Sequence, residues 1–317
     1  MRIAIFGTGA VGGYFGGRLA EAGEDVVFIA RGKQLEALQS KGLTIRSPEG
    51  DCHLEKVEAT GSPAEAGPVD VVIAATKAWQ LRESLESMQP LIGEGTLVVP
   101  LQNGVEAPSI LASAFGRPHV AGGVCRIACT VGEPGTILHL GLHPTIEFGE
   151  LDNRSSDRIR TLRERFDRAT GLTATVAEDI HVTIWKKFLF VEPLGAIGGI
   201  TRVPAGVFRS VPESRHALEA LMEEIVTVGR AHNVALDDGA VVATMKAVDS
   251  IPSATRASMQ RDLEERRPSE LDDQLGAMLR LGAEKQIAVP LHLTIHSLLL
   301  PGERIARGEI EGIEARG

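Results

Sequence analysis

The glycine pattern at the amino terminus constrains this chain more than any other feature. Arg2 to Phe6 is a short apolar run followed at once by Gly7-Thr8-Gly9-Ala10-Val11-Gly12. That segment opens a helix-spaced stretch from Tyr14 to Ala22, and a second apolar run, Asp25 to Ala30, comes next. Strand, tight turn, helix and strand in this order form a βαβ unit, which turns a weak G-x-G-x-x-G match into a specific one. Gly7 permits the tight turn, Gly9 lets backbone amides approach a pyrophosphate, and Gly12 lets helix and strand pack closely. The helix N-terminus adds free N–H groups and partial positive charge, so a dinucleotide phosphate suits this turn.

The end of the second strand selects between dinucleotides. An NAD site places Asp or Glu there to accept from the ribose 2′-hydroxyl, but this chain reads Phe28-Ile29-Ala30-Arg31-Gly32-Lys33. Arg31 offers a planar fork suited to a 2′-phosphate and Lys33 adds charge, so the expected cofactor is NADP. The formal net charge is −9, so a cation at this address is a sharper signal than one elsewhere. The same negative balance argues against nucleic acid as a partner.

The 317 residues exceed one ordinary core, so two domains are expected. Runs at Val69 to Ala75, Thr96 to Leu101 and His119 to Cys125 are short and aliphatic, with helix-length polar segments between them, as in a parallel sheet buried on both faces. Glycines among alternating residues from Thr130 to Glu150 suggest antiparallel strands that extend the same sheet. Beyond about Asp179 the pattern becomes helical, over Ile184 to Ile197, Glu213 to Asn233, Asp237 to Val248, Asp272 to Gln286 and Leu291 to Leu300. The expected architecture is an α/β Rossmann domain over residues 1–178 and an all-helical domain over 179–317, with a polar tail from Gly302 that frays.

With 43% hydrophobic and 24% charged residues and a mean hydropathy of +0.04, the chain reads as a folded globular protein. Cys52, Cys125 and Cys129 are too few for a disulfide framework and fit a reducing, cytoplasmic setting. No run of about 18 apolar residues exists to span a membrane.

Two further segments follow strands, at the carboxyl ends where open α/β sheets bind ligands: Thr76-Lys77-Ala78-Trp79-Gln80 and Leu101-Gln102-Asn103-Gly104-Val105. A third, Ile184-Trp185-Lys186-Lys187-Phe188, opens the helical half, and Ser258-Met259-Gln260-Arg261-Asp262 and Pro268-Ser269-Glu270-Leu271-Asp272 come later. Together, in this order, they resemble the ketopantoate reductase (2-dehydropantoate 2-reductase) family, from residue 1 to about residue 290. The resemblance implies a Rossmann domain followed by a helical domain like that of 6-phosphogluconate dehydrogenases. It places the catalytic lysine on Lys187, its partner glutamate on Glu270 and a substrate-binding serine on Ser258. It puts Asn103 near both nicotinamide and substrate, and gives Arg31, Lys77 and Gln80 contacts to the cofactor. The chemistry suits these residue types: hydride reduction of a ketone leaves an alkoxide, and an ammonium both stabilises that charge and donates the proton.

The resemblance breaks where substrate recognition is expected. Better-known members carry asparagines four and eight residues after the lysine and another in a P-N-G segment; here those positions hold Val191, Gly195 and Ala205, while Arg202 could supply a cation for a carboxylate. Reduction of 2-dehydropantoate to (R)-pantoate with NADPH, a step toward coenzyme A, is therefore the leading expectation. Reduction of another 2-oxo acid or carbonyl is the alternative, and a non-catalytic NADP sensor lies further off. The pairs His292/His296 and His139/His143 lack a clear third ligand, and Cys125/Cys129 lacks a second pair, so no metal is expected. The charged run from Arg261 to Glu270 reads as a helix surface laced with i,i+4 pairs. The expected partner is a small 2-oxo acid; a homodimer is compatible with the sequence, which offers no feature that selects it.

Overall fold

The computed structural model describes residues 1–312 and resolves two compact units, Met1–Gln102 with Ala107–Thr183, and Asn103–Glu106 with Ile184 onward. The first unit runs β1 (Arg2–Phe6), α1 (Ala10–Glu21), β2 (Asp25–Ile29), α2 (Gly32–Lys41), β3 (Leu43–Arg46), β4 (Cys52–Leu54), β5 (Glu58–Thr60), α3 (Pro63–Ala66), β6 (Val71–Ala74) and α4 (Leu81–Met88). It continues through β7 (Leu97–Pro100), α5 (Ala107–Phe115), β8 (Ala121–Arg126), β9 (Cys129–Val131), β10 (Thr136–His139), β11 (Thr145–Glu150), α6 (Asp157–Phe166) and β12 (Thr173–Val176).

The main sheet has the order β5-β2-β1-β6-β7 with every pairing parallel. Successive residues of a strand point to opposite faces, and the core divides accordingly. Ile3 and Ile5 of β1 and Val71 and Ile73 of β6 join Tyr14, Phe15 and Leu19 of α1 on one face. Ala4, Phe6, Val72 and Ala74 join Leu81, Met88 and Leu111 on the other. Both faces are covered, which explains why these strands are continuously apolar rather than alternating.

The expectation for residues 119–150 is corrected in two ways. β8 does not lie parallel in the main sheet; it pairs antiparallel with β11, which pairs parallel with β12, in a separate three-stranded sheet. A single parallel bridge, Val98 with Val120, is its link to β7. β9 and β10 belong to a further four-stranded sheet, β4-β3-β10-β9, formed with two strands that the sequence pattern did not single out. Strands of three or four residues carry too little periodicity to be recognised locally.

The second unit is helical: α7 (Ile180–Thr201), whose first turn counts with the first unit, then α8 (Ala205–Phe208), α9 (Pro212–Ala231), α10 (Ala240–Ser250), α11 (Ser258–Glu264), α12 (Ala277–Glu284) and α13 (Pro290–Ala306). A π-helical turn, Asp272–Gly276, precedes α12. α9 buries Leu218, Leu221, Met222, Ile225, Val226 and Val228, the spacing of one helical face. The expected frayed tail begins too early, because α13 passes through Gly302 to Ala306; residues 313–317 lie outside the described part. The helix ends at Glu264, so the acidic and basic run to Glu270 is not one helical surface: Arg267 folds back on Asp262 at 2.7 Å and Arg256 pairs with Glu264.

Candidate active site

In the first unit the loop from Gly7 to Gly12 leaves β1 and starts α1. Gly7 has φ +97°, a conformation that L side chains rarely adopt, and a Cβ there would meet Thr76 N at 2.7 Å. A Cβ on Gly12 would fall on Gly7 O and 2.8 Å from Ile5 Cγ2, so close packing of helix on strand requires glycine. Gly9, the α1 N-cap, is the contrast: a Cβ there would project into open space with no atom within 4 Å. The fold itself does not exclude a side chain at Gly9, so its glycine fits a group that approaches from outside, as a pyrophosphate on a helix N-terminus does. Thr8 is buried and anchors the loop, its N and Oγ1 both donating to Ile29 O at 3.1 Å. Ala10 and Val11 form the first turn of α1.

Arg31 follows β2 as the N-cap of α2 and is exposed; among the described residues its guanidinium makes no ion pair. Lys33 is exposed in the first turn of the same helix. Lys77 caps and Gln80 ends a short 3₁₀ turn after β6, and Gln102, after β7, donates from Nε2 to Thr76 Oγ1 at 3.3 Å. The loop, Arg31, Lys77, Gln80 and Gln102 thus all leave the carboxyl ends of parallel strands.

In the second unit Glu270 is 4% exposed and accepts at Oε2 from Asn103 Nδ2 at 3.0 Å and from Gln274 Nε2 at 3.1 Å. The Asn103–Glu106 segment is fastened to the helices a second time, because Arg280 bridges Glu106 at 2.7 Å and Asp272 at 2.9 Å. His296, whose Nε2 stands 3.5 Å from Asp272 Oδ1, together with the charge of Arg280 holds Asp272 down at about 2 against the effect of its burial. Burial and the neighbouring charges of Glu270 and Asp272 push Asp273 up to about 6. Lys187 lies half-buried on α7 with no ion pair or hydrogen bond at its ammonium among the described residues, whereas exposed Lys186 beside it meets Asp237 at 3.6 Å.

A cavity of about 110 Å³ opens in this unit, and its walls include Val191, Ala205 and Ser258 with Phe190, Met259 and Gln274. Two of the three positions where the sequence departs from the resemblance therefore face one space. The third, Gly195, packs beneath Met259: a Cβ there would stand 2.8 Å from Met259 Cε. Ser258 is the first residue of α11 and therefore not its N-cap, a position that Ala257 holds without a side-chain bond. Arg202 takes φ +57° just after α7.

Sequence reasoning missed Gln274 and Gln260, although the four-residue step from Glu270 to Gln274 could have pointed to the first. His292, one of the pair that lacks a third metal ligand, is fully buried between Glu224 Oε2, 2.5 Å from Nδ1, and Glu192 Oε2, 3.4 Å from Nε2. No group of three or more His, Cys, Asp or Glu suited to a metal occurs among the described residues. No helix among them is long and apolar enough to cross a membrane.

Comparison with known proteins agrees with both units. Residues 3–153 match the ketopantoate reductase PanE/ApbA family and residues 179–303 its C-terminal domain. An uncharacterized oxidoreductase of Bacillus subtilis, YkpB, is 33% identical over 94% of this chain and 98% of its own. A 2-dehydropantoate 2-reductase of Mesorhizobium japonicum is 31% identical over 96% of this chain and 98% of its own. The crystal structure of a 2-dehydropantoate 2-reductase from Geobacter metallireducens superposes with a TM-score of 0.88 at 32% identity, covering 95% of this chain and 99% of that one. With a parallel dinucleotide-type sheet, a helical second unit and both family matches in sequence order, the chain belongs to the ketopantoate reductase family of oxidoreductases.

Proposed function

We propose that this protein is an NADPH-dependent 2-oxo acid reductase, with 2-dehydropantoate, reduced to (R)-pantoate, as its first candidate substrate. The observation that carries the reading is the pair of amides on Glu270: Asn103, delivered by the end of β7, and Gln274 hold a buried carboxylate in one orientation on the helical unit. A surface carboxylate would need no such support.

When bound, the dinucleotide supplies the hydride. Its pyrophosphate would lie on the N-terminus of α1 against Gly9 and the amides of Ala10 and Val11, with Thr8 holding the loop through Ile29, and its 2′-phosphate would meet Arg31, with Lys33 nearby. Lys77 and Gln80 would contact the same cofactor. Lys187 gives its proton to the carbonyl oxygen as the carbon receives the hydride, so ketone, hydride and proton sum to the alcohol and leave a neutral lysine to be reprotonated. Its ammonium also stabilises the charge that develops on that oxygen. Asn103, Ser258 and Glu270 bind and orient the substrate.

The deciding experiment is the steady-state rate of NADPH oxidation with 2-dehydropantoate, beside NADH and other 2-oxo acids, for the wild type and Lys187→Ala. Turnover that Lys187→Ala lowers by about 10²–10⁴ with NADPH binding retained supports the reading. Binding of NADPH without turnover of any 2-oxo acid overturns it. A second reading, reduction of a 2-oxo acid whose side chain has no hydroxyl, is favoured by the apolar walls that Phe190, Val191, Ala205 and Met259 give the cavity.

A further inference from the structure

Gln274 stands in the π-helical turn four residues after Glu270 and is 2% exposed. The two ends of its amide have different fates. Nε2 donates to Glu270 Oε2 at 3.1 Å, and since a carboxylate only accepts, that bond fixes which end is nitrogen. Oε1 is buried and has no hydrogen-bond partner among the described residues. It lies 3.8 Å from where a Cβ on Gly195 would stand, against the face of α7 that Gly195 shares with Val191 four residues earlier. Val191 and Gln274 both line the 110 Å³ cavity. A buried amide oxygen without a donor is rare and costly, and it is relieved when a donor arrives. Irregular π turns of this kind recur at functional sites.

α7 offers no amide at 191 or 195, so a polar contact to a ligand in the cavity has to come from elements facing that helix. Gln260 also lines the cavity and has an unpartnered Oε1, but its Nε2 is tied to Val203 O at 3.0 Å and to Glu264 Oε1 at 2.9 Å. Its Oε1 packs on α7 at Gly198, where a Cβ would collide with it, beyond the Val191 and Gly195 positions. Gln274 alone of the two also touches Glu270.

Building on the 2-oxo acid reductase reading, we propose that Gln274 is a specificity-determining residue whose Oε1 accepts a hydrogen bond from a hydroxyl on the substrate's side chain. The cavity then takes a hydroxylated 2-oxo acid, its carbons against Phe190, Val191, Leu194 and Met259 and its hydroxyl on the amide oxygen. Acceptance has moved from α7 to the facing π turn, and the apolar replacements on α7 leave room for aliphatic carbon.

The test compares kcat/KM for 2-dehydropantoate with that for 3,3-dimethyl-2-oxobutanoate, which differs by loss of the hydroxyl oxygen alone, in the wild type and in Gln274→Met. A wild-type preference of at least about 100-fold for the hydroxylated acid is expected, since sites built on a buried hydrogen bond reject analogues that lack it. Gln274→Met should bring the ratio near one by losing activity on the hydroxylated acid while the other stays within several-fold. Equal use of both acids by the wild type, or a preference for the one without the hydroxyl, overturns the proposal even if the variant does not fold. A variant that lowers both rates in proportion also overturns it, because Gln274 then acts through Glu270. If the wild type reduces neither of these two acids nor any other 2-oxo acid, the reductase reading itself has failed; if it reduces only other 2-oxo acids, the hydroxyl contact has failed and the reductase reading stands.

Discussion

Asn103 donates to Glu270 across 3.0 Å although 167 positions separate them in the chain. Gln274 donates to the same oxygen at 3.1 Å, so Glu270→Ala would leave two amide donors unpaired around a buried gap. Each such loss costs about 1–3 kcal/mol, and a clear fall in thermal midpoint is expected. Glu270→Gln, which keeps an acceptor in place, should lose less stability than the alanine variant but as much activity. Equal midpoints for wild type and Glu270→Ala would show that the two amides find other partners.

In the glycine loop between β1 and α1, folding and the proposed cofactor binding should separate by position. Gly12→Ala forces a Cβ onto Gly7 O, so it should destabilise the first unit and lower expression. Gly9→Ala meets no atom within 4 Å, so its far-ultraviolet spectrum and midpoint should match wild type while NADPH affinity falls at least tenfold. Fluorescence titration of NADPH against both variants checks this, and unchanged affinity in Gly9→Ala would remove the loop from the cofactor site.

Arg31 is exposed and makes no ion pair among the described residues, so its replacement should not alter stability. A charge-assisted hydrogen bond contributes roughly 1.5–3 kcal/mol, so Arg31→Ala should raise KM for NADPH about 10- to 100-fold and leave NADH almost untouched. A variant that loses both cofactors alike would show that Arg31 does not read the 2′-phosphate.

Stability should decline on the alkaline side because of His292. Burial lowers the pKa of this imidazole, but the carboxylates of Glu192 and Glu224 outweigh burial and raise it from 6.5 to about 9. A raised folded-state value means that the contribution is complete below about 6.5 and is lost as pH climbs from there through 9. The loss is on the order of 3 kcal/mol. Urea midpoints measured at intervals from pH 6 to 10 should fall for the wild type, and His292→Gln should start lower and stay flatter over the same range. A wild-type midpoint independent of pH would mean that the buried histidine is neutral.

Much of this protein is legible in its sequence, and the reason is local. Gly7, Gly9 and Gly12 stand between two apolar runs five or six residues long, and such a pattern needs only short-range geometry to specify strand, turn and helix. The place of Arg31, directly after β2 at the start of α2, was legible because it lies a fixed distance along that unit. The helices of the second unit announced themselves by apolar periodicity, α9 most clearly. The arrangement of β8 to β12 did not, since three- and four-residue strands choose partners through contacts up to about a hundred residues distant, as β3 does with β10.

What the sequence determined alone is the class of the chain: a dinucleotide-type α/β unit, a helical unit after it, and an ordered set of motifs that mark its family. Tertiary structure decided which side chains share an environment. Only the folded chain brings Asn103 to Glu270, turns Val191 and Ala205 toward one cavity, leaves the Gln274 oxygen without a donor, and sets His292 between two carboxylates. These are energies of burial and pairing, which depend on neighbours that spacing along the chain does not specify.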